Sequence, residues 1–154
     1  MIRHANKYDL PELVEMMRDY AGASEVQVMK KHTLQDEKNL RNLLVSILAG
    51  RGFILVDHDY RGMIVGIITP NIWVSSILEL RELAWWVKPE YRQGMIGGKL
   101  WIEFDRIAED LKSENRIQFI TTTRMETSPT LDYTKRGYKK LETTYFKEYQ
   151  CQPH

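Results

Sequence analysis

The chain has little cysteine, no long apolar run and almost no net charge, and each shortage excludes a class of protein. Cys151 is the single cysteine among 154 residues, so no internal disulfide can form and a reducing, cytoplasmic environment is expected. No apolar run approaches the ~20 residues of a membrane-spanning helix, and the first residues lack a signal core. With 22 basic and 21 acidic residues, the net charge of +1 predicts no general attraction to nucleic acid or membranes.

The rest of the composition is typical of a globular chain with one domain. Its 154 residues, with 43% apolar and 28% charged side chains, match a single domain over residues 1–154. The four histidines are scattered and lack the spacing of a metal site. We therefore expect no bound metal.

The order of apolar patterns predicts an α/β (α+β) fold in which helices flank a mixed, mostly antiparallel central sheet. A compact strand, a turn and a partner strand in the middle of the chain indicate a hairpin, so a doubly wound parallel sheet is excluded. The predicted strands are residues 2–5, 53–56, 63–69, 76–87, 117–123 and one or two within 138–149. The predicted helices are residues 9–22 and 33–50, one that follows the glycine loop and runs to about residue 112, and residues 128–137, with an irregular connection at 23–32.

The most informative stretch is a glycine loop between the long strand and the helix that follows. The strand ends at Lys88-Pro89, and Gly94, Gly97 and Gly98 precede the helix. The first N–H groups of a helix have no intrahelical partner, the helix dipole favours an anion there, and glycines allow close approach. The loop lacks the dinucleotide and nucleoside triphosphate motifs. A turn that only lets strand and helix pack closely remains the alternative.

With the elements around it, this stretch resembles the Gcn5-related N-acetyltransferases. In that family a strand ending in apolar-x-Pro precedes Arg/Gln-x-x-Gly-x-Gly/Ala and a helix. Here Val87-Lys88-Pro89 precedes Arg92-Gln93-Gly94-Met95-Ile96-Gly97. The resemblance covers nearly the whole chain. It implies the family's fold, with a V-shaped opening between two central strands, and acetyl transfer from acetyl-coenzyme A to a primary amine by direct attack in a ternary complex.

The resemblance also assigns the cofactor contacts. The family's loop binds the pyrophosphate of coenzyme A through backbone amides, and the pantetheine arm lies in the opening of the sheet. A backbone N–H near Trp86 or Val87 would stabilise the developing oxyanion. Arg92 and Lys99 could add positive charge, although an ordinary solvated pair is the alternative. The matching amides belong to Gln93, Gly94, Met95, Ile96, Gly97, Gly98 and Lys99.

Tyr133 is the candidate for the general acid. In the family, a tyrosine four residues before a Gly-Phe/Tyr pair returns a proton to the leaving thiolate, and Tyr133 precedes Gly137-Tyr138 at that spacing. A phenol with a pKa near ~10 can donate a proton at neutral pH. The alternative is a tyrosine that only packs on the sheet. The chain has Glu126 where the family often has an asparagine, so that cofactor contact would be lost or would move to Thr127 or Ser128.

Glu82 is the candidate for the general base. An amine must be neutral to attack a thioester, and the family usually removes its proton with a carboxylate on the long strand. Glu79 and Glu82 both lie there, and on a regular strand they face opposite sides. Glu82 is nearer to the glycine loop and is preferred. A solvated strand face or a cross-strand ion pair is the alternative, and His32 is a further candidate base.

The sequence leaves the partners open. We expect a small-molecule or peptide amine as acceptor, with Trp73 and the connection at residues 23–32 near it, and no nucleic acid or membrane partner. A homodimer could form through the final strands. Met95 and Glu126 depart from the family's pattern. They keep open a second hypothesis, a non-catalytic protein that binds coenzyme A or a protein partner with the same scaffold.

Overall fold

The computed structural model describes residues 1–33, 36–125 and 131–149. Its five strands follow one another across a single sheet in chain order. The first four pair antiparallel and the fifth runs parallel to the fourth, which confirms the mixed, mostly antiparallel sheet. The strands are β1 (Ile2–His4), β2 (Gly52–Asp57), β3 (Gly62–Pro70), β4 (Leu78–Val87) and β5 (Phe119–Thr121).

Helices cover both faces of this sheet. Three lie between β1 and β2, namely α1 (Leu10–Gly22), α2 (Gln27–Thr33) and α3 (Glu37–Ser46), and α4 (Ile96–Ser113) joins β4 to β5. One core cluster forms under α1 and α3, around Leu13 and Leu44, and a second forms under α4, around Phe104. β3 lies between the two clusters and is buried on both faces, which explains its nearly continuous apolar sequence. Within the described residues, no helix has both the length and the apolar character to cross a bilayer.

The connection predicted at residues 23–32 is wrong, because it contains α2. Thr33 was expected to begin the next helix and instead ends α2, and α3 begins at Glu37. Part of the reason lies far along the chain. The backbone N–H groups of Gln27 and Val28 donate to the Glu148 carboxylate at 2.7 and 3.3 Å. A carboxylate at the first turn of a helix stabilises it, and no local pattern announces that contact.

The C-terminal predictions need a second correction, since residues 138–149 contain no strand. β5 is only three residues long, shorter than the predicted 117–123, so it offers a following segment little edge to pair with. The large side chains of Leu141, Tyr145 and Phe146 are exposed. Of the helix predicted over 128–137, the described part is one 3-10 turn, Tyr133–Arg136. Glu126, Thr127, Ser128 and Cys151 lie outside the described residues.

An irregularity in β4 has consequences for the site. Val65 pairs with Ala84, whereas Gly66 pairs with Glu82, so Leu83 is an extra residue and forms a β-bulge. Next to the bulge the strands approach closely. A Cβ on Gly52 would lie 2.0 Å from the Gly66 carbonyl oxygen, and only glycine fits there.

Candidate active site

The sheet opens beside the second half of β4. β5 pairs with β4 only from Glu79 to Arg81, so within the described chain Glu82–Val87 has a strand partner on the β3 side alone. The Lys88 N–H donates to the Arg61 carbonyl at 2.9 Å. Because alternate residues of a strand point their N–H groups to opposite sides, the Val87 N–H points away from β3 and into the opening. Trp86, which pairs with Met63, points its N–H towards β3.

The glycine loop leads from this opening into α4. Two of the seven predicted amides already have partners: the Gly94 N–H donates to the Tyr91 carbonyl at 3.1 Å and the Lys99 N–H to the Met95 carbonyl at 3.0 Å. In the part of the chain that the structure describes, no backbone carbonyl accepts the N–H groups of Gln93, Met95, Ile96, Gly97 and Gly98. Unpaired backbone donors grouped at a helix start are the kind of arrangement that binds anions in proteins.

Met95 does not disturb this loop. Its backbone has φ −98° and ψ −2°, an ordinary conformation for a residue with a side chain. The side chain is 73% exposed and so points away from the protein. A Cβ on Gly97 would make ordinary contact with Val87 at 3.4 Å, and a Cβ on Gly98 would meet nothing within 4 Å. Both glycine positions could therefore carry a small side chain without a clash.

The two predicted cations of the loop differ in their surroundings. The Arg92 Nε donates to the Val87 carbonyl at 2.8 Å, and its guanidinium lies 4.5 Å from the centre of the Trp86 ring. Arg92 therefore holds the end of β4 and stacks on an aromatic ring. Lys99 is exposed to solvent.

Glu82 and Glu79 are both buried on β4 but differ in their partners. Glu79 accepts hydrogen bonds from Asn71 at 3.0 Å and from Arg81 at 3.4 Å. Glu82 is 3% exposed, and its Oε2 has no hydrogen-bond partner among the described residues. Burial raises the pKa of Glu82 from 4.5 to about 8. His32, the other candidate base, lies on α2 with its side chain exposed.

Tyr133 begins the 3-10 turn that follows β5 and lies half-buried. Its ring packs edge-on against Trp101, with centroids 5.6 Å apart. Burial raises the pKa of the Tyr133 phenol, and the Glu82 charge raises it further. The Tyr138 hydroxyl, by contrast, donates to Asp105 at 3.0 Å and is committed to that carboxylate.

Comparisons with known proteins bear on the fold. No protein-family model matches the chain, and no curated protein matches it in sequence. Solved structures do match. A putative acetyl transferase from Pyrococcus furiosus has a TM-score of 0.68 at 18% identity, covering 97% of this chain and 99% of that one. A Trypanosoma brucei acetyltransferase has a TM-score of 0.64 at 17% identity, with the same coverage.

The chain has the fold of the Gcn5-related N-acetyltransferases. The fold expected from the glycine loop and its neighbours is thereby confirmed. At such low identity the likeness concerns the fold alone. A transcriptional regulator from Bacillus halodurans is also similar, with a TM-score of 0.64 at 16% identity over 97% of this chain and 99% of that one. What this acetyltransferase fold does here must be argued from its site.

Two residues of the site were missed by the sequence reasoning. Trp101 of α4 stacks on Trp85, with ring centroids 5.4 Å apart and planes 20° apart, and it also contacts Tyr133. Tyr20 of α1 packs edge-on against Trp86 at 6.5 Å. Burial and the nearby Glu82 charge raise the pKa of Tyr20 to about 12. Both lie on apolar helix stripes, so helical periodicity could have placed them, although not their partners on β4.

The paired tryptophans of the strand have the positions that alternation predicts. Trp85 belongs to the cluster under α4 and Trp86 to the cluster under α1, so they occupy opposite faces of the sheet. Trp73, expected near the acceptor, is 87% exposed in the β3–β4 loop.

Proposed function

We propose that the protein transfers an acetyl group from acetyl-coenzyme A to a primary amine. The observation that carries this proposal is Glu82, a buried carboxyl group without a hydrogen-bond partner for Oε2 among the described residues, at the point where β4 separates from β5. A buried, unpaired carboxyl group is costly to keep, and perturbed carboxyl groups in openings are typical of general bases. Tyr133 lies close enough for its pKa to respond to the same charge.

The glycine loop fits the diphosphate of the coenzyme. The N–H groups of Met95, Ile96, Gly97 and Gly98, which have no backbone acceptor among the described residues, lie at the start of α4, where the helix dipole favours an anion. A Cβ on Gly98 would meet nothing within 4 Å, so no neighbouring side chain covers that glycine. In this proposal the thioester arm of acetyl-coenzyme A lies in the opening along Glu82–Val87 and hydrogen-bonds with the free edge of β4.

The proposed reaction is direct transfer. The amine nitrogen of the acceptor bonds to the acetyl carbonyl carbon and loses a proton to the Glu82 carboxylate. The Val87 N–H, which points into the opening, donates to the oxyanion that forms. The carbon–sulfur bond then breaks, and Tyr133 gives its hydroxyl proton to the thiolate. Proton exchange with solvent returns Glu82 and Tyr133 to their starting forms. The raised pKa of Tyr133 keeps its proton in place until then.

Two measurements on the purified protein test this function. The first is the melting temperature with and without acetyl-coenzyme A, since a ligand at a hundred times its Kd adds about 2.7 kcal/mol to stability. The second is thiol release from acetyl-coenzyme A in the presence of a panel of amines. A melting shift with amine-dependent thiol release supports the enzyme. A shift without release would support a binding protein. If both the shift and the release are absent, the loop only allows the strand and the helix to pack closely.

A further inference from the structure

The turn that carries Tyr133 is poorly buried. It spans Tyr133–Arg136, the β5 strand before it is only three residues long, and no strand follows it within residues 138–149. Apart from Tyr133, the residues from 131 to 137 are exposed. Segments with so few buried contacts open readily by local unfolding. A proton donor on such a segment needs a further support if its hydroxyl is to stay in one place.

Asp105 of α4 supplies that support, because each of its carboxylate oxygens accepts a hydrogen bond from this part of the chain. The Arg136 Nη1 donates to Oδ2 at 3.0 Å, and the Tyr138 hydroxyl donates to Oδ1 at 3.0 Å. A carboxylate accepts stronger hydrogen bonds than a neutral group does. The Asp105 side chain is 13% exposed, so water competes little for it. We call these three residues the Asp105 clamp.

The clamp acts directly on the neighbourhood of Tyr133. The Tyr138 N–H donates to the Tyr133 carbonyl at 3.2 Å, and the rings of the two tyrosines lie 6.2 Å apart. Both rings also pack on Trp101, one helical turn before Asp105, with centroids 5.6 and 5.5 Å away. A hydrogen bond has a narrower range of geometry than a ring contact. Asp105 therefore fixes the arrangement that the rings allow.

We propose that Asp105 is a positioning residue for the transfer, which holds the Tyr133 hydroxyl where the thiolate of coenzyme A forms. In the proposed function the amides at the start of α4 bind the coenzyme, and Asp105 lies on the same helix. The clamp thus fixes the proton donor relative to the coenzyme. A misplacement of about 1 Å can cost about 10²-fold in rate. This inference rests on the proposed acetyl transfer and adds a residue that acts through Tyr133.

Asp105→Asn tests the clamp. The amide keeps the size of the side chain but has one acceptor oxygen and no charge. We expect kcat for thiol release to fall about five- to tenfold, with the KM for acetyl-coenzyme A within about twofold, because no loop amide is changed. Asp110→Asn is the matched control, since Asp110 also accepts from an arginine, Arg106, at 2.9 Å but is 62% exposed. Its kcat should stay within about twofold of wild type. A wild-type kcat in Asp105→Asn, or an equal loss in both variants, would overturn the inference.

The Tyr133→Phe background separates positioning from a general loss of stability. If Asp105 acts through the Tyr133 hydroxyl, Asp105→Asn should lower kcat by less than about twofold once that hydroxyl is absent. A loss that only reflects looser packing would have the same factor in both backgrounds, and that result would overturn the inference.

Tyr138→Phe decides the question if Asp105→Asn does not fold. This variant keeps the ring that packs on Trp101 and removes only one of the two hydrogen bonds to Asp105. We expect kcat to fall about two- to fourfold, and not to fall further in the Tyr133→Phe background. A kcat equal to that of the wild-type protein would contradict the role of the clamp.

Failure of the inference can be told apart from failure of the proposed function. Turnover by the wild-type protein, with the same loss from Asp105→Asn in both backgrounds, refutes the positioning role and leaves acetyl transfer standing. If no amine releases thiol from the wild-type protein, the proposed function fails and the positioning role fails with it. Hydrogen exchange at the Tyr138 N–H measures the clamp without turnover. Asp105→Asn should accelerate this exchange about tenfold and leave exchange within α4 unchanged, whereas an unchanged rate at Tyr138 would show that the carboxylate does not hold the turn.

Discussion

Replacing Glu82 by glutamine is the sharpest test of the proposed mechanism. The side chain keeps its size and position but can no longer take a proton from the amine. General base catalysis contributes about 10²- to 10⁴-fold, so we expect kcat to fall by at least about 10²-fold. The affinity for acetyl-coenzyme A should stay the same, because no loop amide is changed.

The same substitution has a predictable effect on stability. The pKa of Glu82 is raised from 4.5 to about 8 in the folded protein. Between these values the unfolded chain releases the proton and the folded protein retains it, so stability falls as the pH rises. At about 1.4 kcal/mol per unit, this shift amounts to roughly 5 kcal/mol of unfolding free energy lost between pH ~4 and pH ~9. The glutamine variant has no ionisable group at residue 82. Its unfolding free energy should therefore fall by roughly 5 kcal/mol less over the same pH range.

Two assays check these expectations. The wild-type rate should rise with pH and level off above about pH 8, where Glu82 is ionised. The rate of the variant should depend on pH only through the ionisation of the acceptor amine. Urea unfolding at low and high pH measures the stability difference.

Glu79→Gln is the matched control, since Glu79 is also buried on β4 but is hydrogen-bonded to Asn71 and Arg81. The rate of this variant should stay within about twofold of wild type. A Glu82→Gln enzyme with the wild-type rate and pH profile would refute the assignment, as would a loss of activity confined to the Glu79 variant.

Three further substitutions test other parts of the structure. Tyr133→Phe should lower kcat at least about tenfold with calorimetric affinity for acetyl-coenzyme A kept, and a wild-type rate would remove Tyr133 from the mechanism. Gly97→Glu should abolish the melting shift with acetyl-coenzyme A by placing a carboxylate among the loop amides. Gly97→Ala is the control, because its Cβ makes ordinary contact with Val87 and the variant should fold and keep the shift. An unchanged shift in the glutamate variant would contradict the loop assignment. Gly52→Ala, with its Cβ 2.0 Å from the Gly66 carbonyl oxygen, should lower the unfolding free energy by at least about 2 kcal/mol in urea; a loss below about 0.5 kcal/mol would contradict the close approach of β2 and β3.

Much of the fold follows from short-range patterns in the chain. The β2–β3 hairpin, β4, the glycine loop and α4 lie close to their predicted bounds, because apolar periodicity and glycine or proline boundaries report directly on buried strands and helices. α2 was missed because part of its support comes from Glu148, more than a hundred residues away. The prediction of strands within residues 138–149 was wrong, because β-branched and aromatic residues indicate a strand only where a neighbouring edge can pair with it.

Some residues of the site can likewise be predicted from local patterns, and others depend on distant contacts. The loop amides and the two strand glutamates could be found from spacing, since helix starts and strand alternation are local properties. The choice between Glu79 and Glu82 could not be predicted from spacing, because it depends on Asn71, which reaches Glu79 from the β3–β4 loop. The contact of Tyr133 with Trp101 could not be predicted either, because it requires the packing of α4 against the sheet.

The bulge at Leu83 decides which groups of β4 reach each side of the site. Before the bulge, Leu80 belongs to the cluster under α4, yet after it Ala84 belongs to the cluster under α1, so even-numbered residues change sides. Without the extra residue, alternation would direct the Trp86 ring to the α4 face and the Trp86 N–H into the opening. With it, the Trp86 ring lies on the α1 face and the Val87 N–H points into the opening. One inserted residue thus turns the Val87 N–H into the opening, where the proposed transfer needs a donor to the oxyanion.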